Sequence, residues 1–266
     1  MYLQDDLKAI TTVAASKSFS RDRLWLNGTE EDVAGNRRFQ AVITQVKALA
    51  SNRVDEMTGE VLVEASDWGL YKVHIASRNT FPTAAGLASS AAGLACLTFA
   101  LAQLFNARES FPGELTAIAR QGSGSACRSL YGGFVKWVKG VRPDARDSIA
   151  VQVADEEHWP ELRAVILVVS ADKKHTSSTV GMDMSVTTSP LLAFRAREVV
   201  EPRLQEMEAA YLRRDFAAFG RLTMMDSNQF HATCLDTYPP IFYMNDISRA
   251  VVRAVHAYND YHGEVR

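Results

Sequence analysis

Between Asn79 and Gly93 the chain reads Asn-Thr-Phe-Pro-Thr-Ala-Ala-Gly-Leu-Ala-Ser-Ser-Ala-Ala-Gly, the stretch that most restricts what it can fold into. Upstream, Tyr71, Val73 and Ile75 alternate with Lys72 and His74, the period of a half-buried strand over residues 71–77. Downstream, residues 87–105 read as a helix rich in small side chains. A strand that passes through a Gly- and Ser-bearing turn into a helix leaves the first helical N–H groups without internal partners, and the helix dipole adds about half a positive charge there. With the Ser89 and Ser90 hydroxyls alongside, phosphate is the natural occupant. The segment lacks the Gly-Lys-Ser/Thr ending of a nucleotide P-loop and does not have the dinucleotide spacing. Close packing of a small-residue helix accounts for the same residues equally well.

A second segment, Gly122-Ser-Gly-Ser-Ala-Cys-Arg-Ser-Leu-Tyr-Gly-Gly133, gathers backbone donors, hydroxyls and one guanidinium. Arg128 suits carboxylate or phosphate bidentately, and Ser123 and Ser125 on Gly spacers can wrap a diphosphate. Taken singly, a Gly-Ser turn with a surface arginine explains it; two oxyanion-type loops in one domain favour a site. Asp226-Ser-Asn-Gln-Phe-His231 reads either as a site or as a helix face satisfied by its own hydrogen bonds. Residues 173–179, Lys-Lys-His-Thr-Ser-Ser-Thr, read by default as a solvated loop that could touch an anion. The six histidines show no metal-ligand spacing, so no histidine metal site is expected. Cys127 has no assignable histidine partner and is not expected to act as a nucleophile.

The balance of 29 basic against 31 acidic residues gives a net charge of −2, which excludes nucleic-acid binding carried by bulk basicity; any polyanion site must be local. Three distant cysteines fit neither a disulfide framework nor a paired-cysteine metal site, so a reducing cytoplasm is expected. Residues 1–10 do not resemble a signal peptide, and residues 91–105 are too short to span a bilayer.

Further elements follow from periodicity. Residues 11–15 and 23–26 read as strands, with Asn27-Gly28 as a hairpin turn. Phe39, Val42, Ile43, Val46 and Leu49 mark one face of a helix over 37–49. A short helix is expected over 114–120, a strand over 133–138, and a buried strand within 161–170 from the run Ala-Val-Ile-Leu-Val-Val at 164–169. Helices over 190–213, 216–234 and 247–258 follow, with a break at Pro239-Pro240. The polar stretch 155–160 suggests a domain boundary, giving domains 1–160 and 161–266.

With both loops in view, the sequence resembles the mevalonate diphosphate decarboxylases of the galactokinase/homoserine kinase/mevalonate kinase superfamily. Four strings carry the resemblance: residues 81–93 and 122–134, His158-Trp-Pro-Glu-Leu-Arg163, and Asp226-Ser-Asn-Gln-Phe-His-Ala-Thr-Cys-Leu-Asp236. The resemblance implies an α+β fold of two domains, ribosomal-S5-like followed by ferredoxin-like, incomplete at both termini. It implies an ATP- and Mg²⁺-dependent lyase of isoprenoid and sterol synthesis that converts mevalonate 5-diphosphate to isopentenyl diphosphate. A cytoplasmic homodimer with no nucleic-acid or membrane partner is expected.

By the same resemblance Gly86, Leu87, Ala88, Ser89 and Ser90 form the ATP-phosphate loop, with Ser90 orienting the transferring phosphate. Ser123, Gly124, Ser125, Ala126, Cys127 and Arg128 form the substrate loop, Arg128 being catalytic through its hold on the substrate's anionic groups. Arg38 and Thr179 match further substrate contacts. The family's N-terminal Lys-Tyr-Trp-Gly-Lys motif and its Asp-Ala-Gly-x-Asn segment, with the catalytic aspartate, are missing here. Asp144, Asp147, Asp172 and Asp236 lie outside a comparable context, which leaves a non-catalytic nucleotide or diphosphate binder, or dimer partner, as the alternative.

Overall fold

The structure is a computed structural model that describes residues 7–81, 87–170 and 174–264. The chain divides into two compact units, Met1–Glu156 and Glu157–Arg266. The first is built on a four-stranded sheet of β1 (Ala9–Ser16), β2 (Arg23–Leu26), β3 (Thr29–Glu31) and β6 (Lys72–Asn79). In the order β1-β6-β2-β3, β6 runs antiparallel to β1 and parallel to β2, and β3 closes a hairpin on β2. Asn27 and Gly28 both have positive φ, 50° and 84°, the conformation a two-residue hairpin requires. On β6, Val73, Ile75 and Ser77 turn inward, as the alternation of the sequence demands.

Helix α1 (Arg37–Ala48) starts at Asn36, whose Oδ1 accepts the Arg38 N–H at 3.1 Å, and buries Val42, Ile43 and Val46. The small antiparallel pair β4 (Arg53–Val54) and β5 (Val61–Val63) follows. Helix α2 (Ser89–Leu104) is apolar nearly all round, which only a buried helix tolerates; it lies against β1 and β6, with α1 and α3 (Glu114–Gly122) packed on it. Leu94, Leu97, Leu101 and Phe105 from this region meet Val42, Val46, Val73 and Ile75 in one core. A 3₁₀ turn, Gly124–Leu130, leads into β7 (Phe134–Trp137), which pairs antiparallel with β8 (Ala150–Ala154). Strand β8 has too short an apolar signature to stand out in the sequence.

The second unit is helical: α4 (Ser178–Thr188), α5 (Pro190–Phe194), α6 (Val200–Leu212), α7 (Phe216–Asp236) and α8 (Asp246–His262). The expected helix over 190–213 forms, but residues Arg195–Val199 make a π-type turn ahead of Pro202, whose ring and missing N–H disturb the regular ladder. Ser178 and Thr179, expected in a loop, open α4 behind the Ser177 cap.

The buried strand expected within 161–170 does not form. Val165 is 84% exposed and Val168 65%. A strand satisfies its backbone only through neighbours, and all regular elements among the described residues of this unit are helices, which close their hydrogen bonds internally. No helix among the described residues is long and apolar enough to cross a membrane.

Candidate functional site

The first turn of α2 presents Ser89 and Ser90, as expected from the strand-turn-helix sequence. Ala88 precedes it in a left-handed conformation (φ 35°) and makes no side-chain cap on the helix. Leu87 also lies ahead of the helix, and Gly86 falls outside the described residues.

Ser89 and Ser90 line a cavity of about 150 Å³ whose polar wall also holds Asn36, Arg38, Ser77 and Asn79. Its apolar wall comes from Leu24 and Leu26 of β2, Phe39 of α1, and Leu94 and Leu97 of α2. A half-apolar cleft lined also by hydroxyls, a guanidinium and a helix N-terminus can take an apolar group and an anion together. Among the described residues no carboxylate lines it and no cluster of three metal-ligating side chains occurs. A divalent cation there would be carried chiefly by the oxygens of a bound phosphate chain, with serine hydroxyls as protein ligands.

Arg38 links this cavity to the second loop. Its Nε donates to the Gly122 carbonyl at 2.5 Å, across 84 residues of sequence. Gly122 packs so tightly that a Cβ there would come within 2.9 Å of both Leu94 Cδ2 and Val42 Cγ2. The chain then enters the turn that holds Ser123, Gly124, Ser125, Ala126, Cys127 and Arg128. Ala126 and Cys127 are buried and fix the turn from below, while the Arg128 side chain is exposed over Trp137. The Cys127 thiol donates to the Gly124 carbonyl at 3.1 Å, and burial pushes its pKa up, so it is a structural anchor rather than a ready thiolate.

Arg38, Ser89 and Ser90 therefore share one cavity, and Arg38 ties it to the head of the Ser123–Arg128 turn. Thr179 stands in the other unit, in the first turn of α4. Of the expected basic loop, Lys174 bonds to Ser178 Oγ at 2.8 Å, whereas Lys173, like Asp172, lies outside the described residues. Part of the polar face of α7 is paired locally: Asp226 binds Arg195 at 2.8 Å and Arg203 at 3.2 Å, and Gln229 accepts from both arginines. His231 is held below its ordinary pKa by burial. Ser227 and Asn228 of the same string are exposed, as is Phe230.

Asn36 and Asn79 were not read from the sequence as cavity residues. Asn36 carried one usable signal, an asparagine directly ahead of an amphipathic helix. Asn79 carried none, because its place depends on the pairing of β6 with its neighbours; its Oδ1 is buried with no hydrogen-bond partner among the described residues.

Two family models match the chain: a diphosphomevalonate decarboxylase-like N-terminal domain over residues 1–150, and a mevalonate 5-diphosphate decarboxylase C-terminal domain over residues 164–266. A diphosphomevalonate decarboxylase from Rattus norvegicus is 56% identical over 263 residues, covering 99% of this chain and 64% of the relative. The chain thus spans slightly less than two thirds of that relative's length. A crystal structure of a mevalonate 5-diphosphate decarboxylase superposes with a TM-score of 0.85 at 47% identity, over 98% of this chain and 65% of the other. A structure solved in complex with MVAPP, AMPPCP and magnesium matches with a TM-score of 0.72 at 28% identity, over 95% of this chain and 72% of the other. Models and relatives agree across both units, and the chain belongs to the diphosphomevalonate decarboxylase family, with an α+β fold.

Proposed function

We propose that this protein serves the ATP- and Mg²⁺-dependent decarboxylation of mevalonate 5-diphosphate to isopentenyl diphosphate, a step of isoprenoid and sterol synthesis. The observation that carries the reading is the arrangement around Arg38: one guanidinium lines the Ser89–Ser90 cavity and holds the carbonyl that opens the Ser123–Arg128 turn. A phosphoryl donor and an anionic acceptor bound at these two places would be neighbours, which suits group transfer between them. The complex of a relative with MVAPP, AMPPCP and magnesium supports both ligands and the metal.

In this reading Gly86, Leu87, Ala88 and Ser89 receive the nucleotide phosphates, and Ser90 orients the phosphoryl group that moves. Arg128, with the Ser123, Gly124, Ser125, Ala126 and Cys127 segment, grips the substrate's anionic end; Arg38 and Thr179 add contacts. The chemistry explains why a nucleotide is needed for a decarboxylation. A tertiary hydroxyl is a poor leaving group, so its oxygen first gives up its proton to solvent and takes the γ-phosphoryl group, releasing ADP. The C–O bond then breaks with its electron pair leaving on phosphate. The C–C pair of the departing carboxylate forms the alkene, and carbon dioxide is lost. The reading includes a cytoplasmic homodimer.

The test is release of carbon dioxide from carboxyl-labelled mevalonate 5-diphosphate with Mg·ATP, alongside calorimetric binding of each ligand. Release is expected, and Ser90→Ala and Arg128→Ala are each expected to lower it by roughly 100-fold or more, the scale for loss of one transition-state donor. Release that neither substitution changes would overturn the site assignment. Failure to bind either ligand would overturn the function, and binding of both without release would establish the non-catalytic alternative.

A further inference from the structure

The turn that carries Arg128 rests on an aromatic plate. Trp137, the last residue of β7, lies under the Arg128 guanidinium with 6.0 Å between Cζ and the ring centroid. The same ring abuts Gly124: a Cβ at that glycine would fall 3.2 Å from Trp137 Cη2 and 3.3 Å from Cζ3. The plate is itself held. Its Nε1 donates to Ser148 Oγ at 3.0 Å, and the buried Ser148 hydroxyl donates onward to the Val138 carbonyl at 3.1 Å. In the β7–β8 ladder Trp137 faces Ala150, whose N–H donates to the buried Thr116 hydroxyl at 3.0 Å. One indole thus lies beside both Gly124 and Arg128 while two hydrogen bonds to buried hydroxyls hold it and its facing strand to the unit.

An exposed arginine on a tight turn would otherwise spread over many rotamers, and gripping an anion would mean losing that freedom at the moment of binding. A ring face under the guanidinium restricts it beforehand, and because Arg128 is exposed it can still meet a carboxylate or phosphate.

We propose that Trp137 is a positioning residue for Arg128, anchored through Ser148, that fixes both the presentation of the guanidinium to an anionic carboxylate or diphosphate group and the shape of the turn at Gly124. This deepens the reading given above that Arg128 takes the anionic end of the substrate, and it rests on that reading.

The test uses the full chain with Trp137→Phe and Trp137→Leu, two readouts, and thermal melting to confirm folding. Affinity for mevalonate 5-diphosphate is expected to fall roughly three- to tenfold in Trp137→Leu and to stay within about twofold in Trp137→Phe, which keeps a ring face. In the ligand-free chain, ¹⁵N relaxation of the Arg128 Nε–Hε group, assigned by its loss in Arg128→Lys, is expected to show order in the wild type and in Trp137→Phe. Trp137→Leu is expected to lose it. Equal weakening in both variants, or an Arg128 side chain as ordered in Trp137→Leu as in the wild type, would overturn the proposal. If the wild-type chain binds no mevalonate 5-diphosphate, the substrate reading fails while the relaxation comparison still decides the positioning role. Should Trp137→Leu not fold, Trp137→Met keeps a long apolar side chain without a ring face and is expected to loosen Arg128 in the same measurement; unchanged order there would overturn the proposal.

Discussion

Single side chains hold the two candidate loops together, and one tight contact among them lies at Gly122. Its carbonyl receives Arg38, and the space where a Cβ would stand is occupied by Leu94 and Val42 methyl groups. Gly122→Ala must push one of these aside in a closely packed core, at a cost of about 1–3 kcal/mol. Urea denaturation is expected to show that loss as a lower midpoint with an unchanged slope. A midpoint equal to the wild type would mean that the core around α2 and α3 yields freely. The sequence announced Gly122 only as a member of a Gly-Ser cluster. Its function as a close-contact residue was not legible, because Val42 and Leu94 come from distant segments.

Among the elements, α1 matters most to the site because it presents Arg38. Its start was readable: asparagine ahead of an apolar pattern of three and four is a helix-opening signal, and Asn36 Oδ1 does accept the Arg38 N–H. Asn36→Ala is expected to cost about 1 kcal/mol of stability, the usual value of a lost N-cap. Thermal melting checks it, and the Asn36→Asp variant, which keeps the acceptor, is expected to recover most of the loss. Strand β6 and the Asn27-Gly28 hairpin were legible for similar local reasons, alternation and turn chemistry. By contrast β8 is short and only partly buried, so its sequence has little pattern; pairing with β7 defines it.

At the scale of the whole molecule, the residues 164–169 present the largest conflict between local signal and observed structure. Their uncharged, β-branched sequence lies exposed instead of paired. Such a segment, without a ladder, is a surface prone to self-association. Val165→Lys with Val168→Lys is therefore expected to raise the soluble concentration of the chain several-fold without reducing its helical circular dichroism or thermal midpoint. A lower midpoint would show that these valines are packed in solution. Helices of the same unit also leave apolar side chains outward, among them Val186, Phe230 and Tyr258.

What the sequence determined by itself was local. Periodicity marked α1 and β6, a run of small side chains marked α2, a cap and a two-residue turn marked boundaries, and four long strings marked the family to which the models and relatives assign the chain. These signals need only neighbours a few positions away. The tertiary structure alone decided which residues share a wall: β2, α1, β6 and α2 together enclose the cavity, and Arg38 meets Gly122 across 84 positions. It also decided that the run at 164–169 stays unpaired, because a helix satisfies its backbone from within while a strand depends on a partner that its own sequence does not contain.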